Sequence, residues 1–440
     1  MWFAWFSPDC FAKGTHVLTR QGYRPIEEIK VGDEVFTHLK RWRKVTRCYK
    51  TRKKTMTIKG HGHYGLRVSS EHPFFVKKRD DVYEKRQLKA VYSEAQWVPT
   101  KDLGKGWYWA TPMSFPASRV PDLPSGKRKK RSFSLDAKLL HLAGMYVGNG
   151  SSRLDETHGE LVITCGQHRV EDFRAVLDRW PASSKARSGD GELRWQERKT
   201  QTAYNFTTAN RTLVAWLRSH FGRWAHGKKI PGWVFGLSPE LKKAFLEGYL
   251  LCDGYAQNRR GLVHECVSVS KSVTLGIRTL AASFGWSVGF YKGKICSTIQ
   301  GRKVNARQPY RARWRSEPKD SHRQVFEEGG MIWSAIKKLD KSGPVEAVFN
   351  LAVEEDESYV AEGVVVHNCT HHSNARGGKP RQKNIRSLAW VVCTWARSVR
   401  PAVIFVENVR EFETWGPLTA EGHVNPQKKG STFKRWVSSL

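Results

Sequence analysis

Acidic residues are what this 440-residue chain is short of: 41 Asp and Glu stand against 75 Lys and Arg, a formal charge of +34. That imbalance points to a polyanionic partner, and nucleic acid is the natural one. No stretch approaches the roughly 20 apolar residues a membrane span needs. Met1 to Phe6 is apolar but too short for a signal peptide, and it lacks a basic leader. The eight cysteines (10, 48, 165, 252, 266, 296, 369, 393) are scattered, with no CxxC pair and no zinc-like Cys/His spacing. Scattered thiols suit a reducing compartment, where each can react singly. A Gly-rich cofactor-binding motif is also missing. These absences predict a soluble, cytoplasmic chain. The 39% hydrophobic and 12% aromatic content predicts folded domains, two or three at this length.

What is present begins near the C-terminus. Val364-Val365-Val366 is a β-branched run that delivers His367-Asn368-Cys369. The Asn368 amide can attack its own carbonyl and cut the chain as a succinimide. His367 can move a proton near neutral pH, and Cys369 offers a thiol nucleophile. A second thiol, Cys10, opens Cys10-Phe-Ala-Lys-Gly-Thr-His-Val-Leu-Thr19. Short β-type runs split by Gly-Asp and Gln-Gly turns continue to about residue 115 and predict an all-β module. Trp97-Val-Pro and Leu103-Gly-Lys-Gly-Trp107 read as its closing strands, and Ser69-Ser70-Glu71-His72 lies within it.

The Cys10 stretch resembles the first splicing block of inteins, and Ser69 to His72 resembles the second, where a Thr and a His stand three apart. Val348 to Cys369 resembles the last two blocks, with Asn350 where an Asp or Cys often helps and Glu357 where a His often does. The resemblance implies an all-β, horseshoe-like Hint domain built from residues 10–120 and 339–368. It also implies self-excision of residues 10–368 without any cofactor. In that scheme Cys10 attacks the Asp9 carbonyl, His72 protonates the departing amine, and Ser69 steadies the oxyanion. Cys369 takes over the thioester, and Asn368 cyclises with help from His367.

Between these blocks the chemistry of the sequence changes. Pro121 to Arg131 reads as a basic linker. Helical patterns follow at Leu139–Val147, Arg211–Trp224, Pro239–Leu250 and Ser272–Phe284, with strand-like Leu161–Thr164 and Trp286–Tyr291 among them. Two helices end alike, in Leu142-Ala-Gly-Met-Tyr-Val-Gly-Asn149-Gly150 and Leu246-Glu-Gly-Tyr-Leu-Leu-Cys-Asp253-Gly254. The pair resembles the repeated motif of LAGLIDADG homing endonucleases and implies a pseudo-symmetric αββαββα unit over residues 132–338. It also implies double-stranded DNA as partner and Mg²⁺ held by the terminal residues Asp253 and Asn149. A neutral amide at 149 attracts the metal less than a carboxylate would, so an impaired nuclease is expected. Lys229 resembles the family's catalytic lysine, with Lys228 equally placed.

The flanks, 1–9 and 369–440, resemble pieces of the α/β cytosine-C5 DNA methyltransferases. Joining Phe6-Ser-Pro-Asp9 to Cys369 would rebuild a Pro-containing catalytic loop, with Asp9 where Pro is common and His372 where Phe is usual. Arg400-Pro-Ala-Val-Ile-Phe-Val-Glu407 resembles the family's next motif. In that family's chemistry Cys369 would add to cytosine C6 while Glu407 holds the flipped base. Lys383–Arg400 reads as a helix and Ala402–Val406 as a buried strand. The parts that bind S-adenosylmethionine and recognise the target are absent here, which implies a fragment of a longer or split host, a missing methyltransferase fragment being the partner in the split case. The whole is expected to be a multi-domain α+β chain whose intein is monomeric. Two other readings stay open: a DNA-binding endonuclease with an inactive splicing module, and a module that cleaves without ligating.

Overall fold

The computed structural model describes residues 10–84, 87–118, 121–122, 133–180, 193–258, 262–296, 298–299, 302–303, 306–316, 324–368, 390–401, 403–404, 410–417 and 425–439. Asp9, Cys369, His372, Glu407 and most of the basic linker lie outside them. The chain divides into two compact units, Met1–Asn368 and Cys369–Leu440. Helices and strands mix in the larger one, with sheet predominating.

Fifteen strands from residues 11–112 and 325–367 join one sheet, and every strand pairing in it is antiparallel. Its longest ladder pairs Trp42–Gly60 with Val345–Val353, so the two ends of the larger unit are woven together by backbone hydrogen bonds. The last strand, Val364–His367, is apolar on both faces because both faces are covered. Val364 and Val366 enter one core with Phe11, Val17 and Val68, while Val365 enters another with Leu18 and Val360. At about 1.5–3 kcal/mol for each fully buried valine, that run fixes the strand that carries His367 and Asn368.

The inserted half holds two similar subunits of fold. Helix Ala137–Asn149 leads into strand Gly150–Leu154, and helix Pro239–Asp253 leads into strand Gly254–Asn258. Asp136 and Ser238 cap the two helices by accepting the Leu139 and Leu241 N–H groups, as residues of those types do at N-caps. Each helix is followed by a four-stranded antiparallel sheet of the same connectivity, the third and fourth strands exchanged in space. Helices Val170–Leu177 and Lys271–Ala282 sit at the matching place in each copy, between second and third strands. The four expected helices are all present, as Ala137–Asn149, Arg211–Phe221, Pro239–Asp253 and Lys271–Ala282.

The chain rejoins the fifteen-stranded sheet at residue 325, within the 132–338 stretch. Strands Val325–Glu328 and Met331–Asp340 already belong to the fifteen-stranded sheet, pairing through Met331–Asp340 with Trp107–Pro112 and with Trp42–Gly60. The pairing partners are over two hundred residues upstream, and local sequence carries no trace of them. Leu103 and Gly104 precede the closing strand, which is Trp107–Pro112.

The smaller unit packs Cys393, Phe412, Trp415 and Trp436 together. Helix Trp390–Val399 lies inside the expected 383–400 segment. Val403 and Ile404 are not in a strand, and the rest of the Ala402–Val406 run lies outside the described residues. No strand occurs among the described residues of this unit, so its expected α/β character has no support there.

Two imidazoles are packed into the larger unit, His63 buried and His16 half-buried. Burial, with Lys271 adding to it, pushes His16 down to about 4, and burial with Arg278 pushes His63 down to about 3. Both are therefore neutral when folded, whereas an unfolded histidine binds a proton below about 6.5. The unfolded chain gains protons first as pH falls, so stability is lost from about pH 6.5 downward. Each histidine should cost roughly 2 kcal/mol at pH 5. A urea midpoint for the larger unit that is clearly lower at pH 5 than at pH 7.5 is expected; equal midpoints would contradict it.

Candidate functional site

Cys10 is fully buried at the start of strand Phe11–Ala12. Its N–H donates to Ser69 Oγ at 2.9 Å, and its carbonyl accepts the Ser69 N–H at 2.9 Å. This double contact continues the Phe11–Val68 strand register. The serine hydroxyl therefore sits on the nitrogen of the Asp9–Cys10 peptide bond, the atom that becomes an amine if that bond is exchanged for a thioester.

His72 follows in the same turn, with no exposed surface and its ring edge-on to Phe11 at 4.3 Å between centroids. Its carbonyl accepts both the N–H (2.9 Å) and Oγ1 (2.7 Å) of Thr100, and its N–H reaches the Ser69 carbonyl at 3.3 Å. Thr100 was not singled out in the sequence. It follows Val98-Pro99 in a polar turn, and only its long-range partner reveals its work of holding the histidine loop.

Asn368 is 3% exposed, and its N–H donates to the Glu357 carbonyl at 2.8 Å. Its Nδ2 donates to the Val353 carbonyl at 3.3 Å, and its buried Oδ1 has no hydrogen-bond partner among the described residues. The His367 Nδ1 lies 2.9 Å from the Asn368 carbonyl oxygen, and the ring stands edge-on to Trp97 at 4.6 Å. In the tautomer that protonates Nδ1, this N–H donates to the very carbonyl that succinimide formation attacks. Asn350 is committed elsewhere: its Oδ1 accepts from the Leu351 N–H and the Tyr359 hydroxyl, both at 2.7 Å. Glu357 adopts a left-handed φ of 51° and presents its backbone carbonyl to Asn368.

The register brings these ends together. Val366 pairs with Phe74 in an antiparallel ladder. His72 directly precedes the Phe74 strand, and its ring packs on Phe11, the residue after Cys10. Phe11 in turn pairs with Phe349. The Phe11–His72 ring contact thus links the Cys10–Ser69 pair to the residue just before the strand that pairs with the one carrying His367. Cys369 lies outside the described residues.

A second constellation lies at the two matched helix ends. Gly144 and Gly248 let the helices meet backbone to backbone. Burial pushes the Asp253 carboxyl up to about 6 against the pull of Lys228 and Arg169, whereas Asn149 is exposed. Lys228 Nζ donates to the carbonyls of Tyr146 (2.6 Å) and Gly150 (2.7 Å), and burial lowers it to about 8. Arg169 caps the other helix, donating to Leu251 O at 2.6 Å and Gly254 O at 2.9 Å. Of the two candidate lysines it is Lys228 that reaches the helix ends. Lys229 is half-buried and feels Arg24 of the splicing half. A hard dication wants several oxygen donors with net negative charge. One carboxyl, one amide and two cationic caps do not fit a two-carboxylate Mg²⁺ site. Among the described residues no group of three His, Cys, Asp or Glu side chains is placed to hold a metal. No helix among them is long and apolar enough to cross a membrane.

A β-domain woven from the two ends of the larger unit, with a pseudo-symmetric helical unit inserted between them, defines the class of protein. The chain matches the intein splicing domain family over residues 18–368 and belongs to it. It is similar to an iron-sulfur cluster assembly SufBD family protein of Mycobacterium bovis, at 25% identity over 82% of this chain and 43% of that protein. It is similar also to an ATP-dependent DNA helicase of Thermococcus kodakarensis, at 22% identity over 82% of this chain and 36% of that one. The chain spans less than half the length of these two relatives. Among solved structures, variants of the homing endonuclease I-DmoI align with 41% of this chain and 90% of their own, at 12% identity and TM-score 0.27. A variant of the Ssp DnaB mini-intein aligns with 82% of this chain and 98% of its own, at 10% identity and TM-score 0.26.

Proposed function

We propose that the chain excises residues 10–368 from itself and ligates Asp9 to Cys369. The observation that supports this best is the pair of contacts on the two reacting peptide bonds: Ser69 Oγ on the Cys10 nitrogen and His367 Nδ1 on the Asn368 carbonyl. Cys10 sulfur attacks the Asp9 carbonyl, and the amine leaves with a proton supplied by His72, so a thioester replaces a peptide bond. The Cys369 thiolate then displaces the Cys10 thiol, forming a branched chain. Asn368 Nδ2 attacks its own carbonyl, polarised by His367, and expels the Cys369 amine. That amine attacks its own thioester, and a peptide bond remains. Each step is an acyl transfer with no change of oxidation state. Proximity supplies most of the rate, and effective molarities of about 10⁵ M or more are available to well-aligned groups.

Ligation would rebuild the catalytic loop of a cytosine-C5 methyltransferase, in which one thiol, Cys369, serves both reactions and stays blocked until excision. S-adenosylmethionine would be the methyl donor of such an enzyme. The inserted half, LAGLIDADG-like in its two helices that cross at Gly144 and Gly248, binds double-stranded DNA, and its single helix-end acid, Asp253, leaves strand cleavage impaired. Asn149→Asp supplies the second carboxylate between the helix ends. Cleavage of an intein-free target gene in Mg²⁺ should rise about 10-fold or more, read on a gel of linearised plasmid, and an unchanged rate would remove the carboxylate argument.

Expression of the full chain followed by intact mass measurement tests the main reading. Spliced product (1–9 joined to 369–440) plus free 10–368 is expected. Separate flanks would mean cleavage without ligation, and precursor alone would mean an inactive module.

A further inference from the structure

The turn that feeds the last strand is held by a helix from the inserted half. Glu362 and Gly363 connect strands Ser358–Ala361 and Val364–His367, with φ of 48° and 83°. Two successive left-handed residues make the tight hairpin turn whose twist suits antiparallel strands. Glycine adopts that backbone freely, but glutamate does so at a cost and keeps it only where its surroundings hold it. Glu362 is held on every side. It is 2% exposed, and its carboxylate pairs with Lys271 and accepts the Tyr64 hydroxyl at 2.9 Å and the His16 N–H at 3.4 Å. The Glu362 carbonyl accepts Arg278 Nη1 at 2.8 Å. That guanidinium fills the space a side chain on Gly363 would need.

Lys271 and Arg278 both belong to helix Lys271–Ala282 of the second inserted copy. Lys271 Nζ also donates to the Gly14 carbonyl at 2.8 Å, four residues beyond Cys10. One ammonium therefore ties the loop after the first reacting residue to the turn before the last. The same helix is fastened by Ser272 Oγ to the Tyr23 carbonyl and by Thr279 to the Tyr23 hydroxyl, both at 2.8 Å. The hydrophobic core agrees: Leu18, Tyr23, Val360 and Val365 of the splicing half share one cluster with Leu275, Ile277 and Leu280 of this helix. Arg278 is 5% exposed and donates further to Thr111 Oγ1 at 3.4 Å and the Val288 carbonyl at 3.3 Å.

We propose that Lys271 and Arg278 are positioning residues for splicing, contributed by the inserted half, which set the hairpin that presents His367 and Asn368. The inference rests on the splicing reading above. It makes the inserted half part of the splicing machinery in this chain. The N-terminal step depends on it less, because Cys10 is anchored by Ser69 and the next residue, Phe11, pairs with Val68 and Phe349.

The test uses the full chain in two backgrounds. Cys10→Ala isolates C-terminal cleavage by Asn368, and Asn368→Ala isolates N-terminal cleavage by added dithiothreitol. In the first, Lys271→Met should slow cleavage about 10-fold or more, the scale that an ångström of misplacement produces. Lys271→Arg should recover most of that loss. In the second, Lys271→Met should change dithiothreitol cleavage by less than about threefold. All rates are taken well below the melting temperature of each variant, measured by circular dichroism, so that a plain loss of stability does not register. If Lys271→Met does not fold, Lys271→Gln, which keeps a donor for Gly14, carries the same comparison. Unchanged C-terminal cleavage, or equal slowing of both steps with no rescue by arginine, would overturn the proposal. A parent chain that never splices would remove the reading beneath it, and that control separates the two failures.

Discussion

Asn368→Ala should leave the C-terminal junction whole, with cleavage there reduced at least ~10³-fold, the scale seen when a member of a catalytic unit is removed. Alanine has no amide to attack the backbone, so the succinimide cannot form and the Cys369 amine is never released. The first thioester does not need Asn368. Dithiothreitol should therefore free residues 1–9 from this variant, a loss that intact mass reads directly. Cys10→Ala should give the complement: no thiol-dependent release, and at most cleavage after Asn368. The pair separates in the proposed scheme, where Ser69 and His72 act at one junction and His367, its Nδ1 2.9 Å from the Asn368 carbonyl, at the other. Release of residues 1–9 from Cys10→Ala by dithiothreitol would show that another nucleophile does the work assigned to Cys10.

Much of this arrangement was legible because it is local. The β-branched run before His367 reads as a buried strand, and alternation then sends Val364 and Val366 to one core and Val365 to the other. Helices that end in Asn149-Gly150 and Asp253-Gly254 advertise themselves by repeating one Leu-x-Gly…Gly pattern, with Gly144 and Gly248 at matching places. What stayed hidden depends on chain segments far apart. Met331–Asp340 looks like any amphipathic strand, and only its pairing with Trp107–Pro112 assigns it to the splicing sheet. Lys228 and Lys229 are adjacent in an extended segment, where successive side chains point to opposite sides. Sequence therefore offers both, and the fold sends the first to the Tyr146 carbonyl and the second toward Arg24. The Lys271–Glu362 pair spans 91 positions and joins two halves that read as separate domains. A lysine at a helix start is ordinarily solvated, so nothing in its neighbours marks it for burial.

Gly248→Leu should be the most damaging single change outside the reacting residues, costing more than ~4 kcal/mol. A Cβ at 248 would lie 2.0 Å from the His141 carbonyl oxygen and 2.8 Å from its carbon. Those atoms are backbone in the middle of the partner helix and cannot turn aside. The reciprocal contact is as close, with a Cβ at Gly144 lying 2.1 Å from the Phe245 carbonyl oxygen and 2.7 Å from the Tyr249 nitrogen. The helices can separate only by opening the cluster that holds Leu140, Tyr146, Phe245 and Tyr249, which also contains Leu18 and Val365 of the splicing half. Damage at the helix pair should consequently spread: DNA binding and splicing are both expected to fall, and the thermal transition of the larger unit to drop or broaden. Gly104→Ala is the matched control, since a Cβ there meets nothing within 4 Å. If Gly248→Leu were to abolish DNA binding while splicing and the melting of the sheet stayed at parental values, the two halves would be energetically separate. The shared core would then be a contact without consequence, because an opened cluster cannot leave Val365 and the strand bearing Asn368 undisturbed.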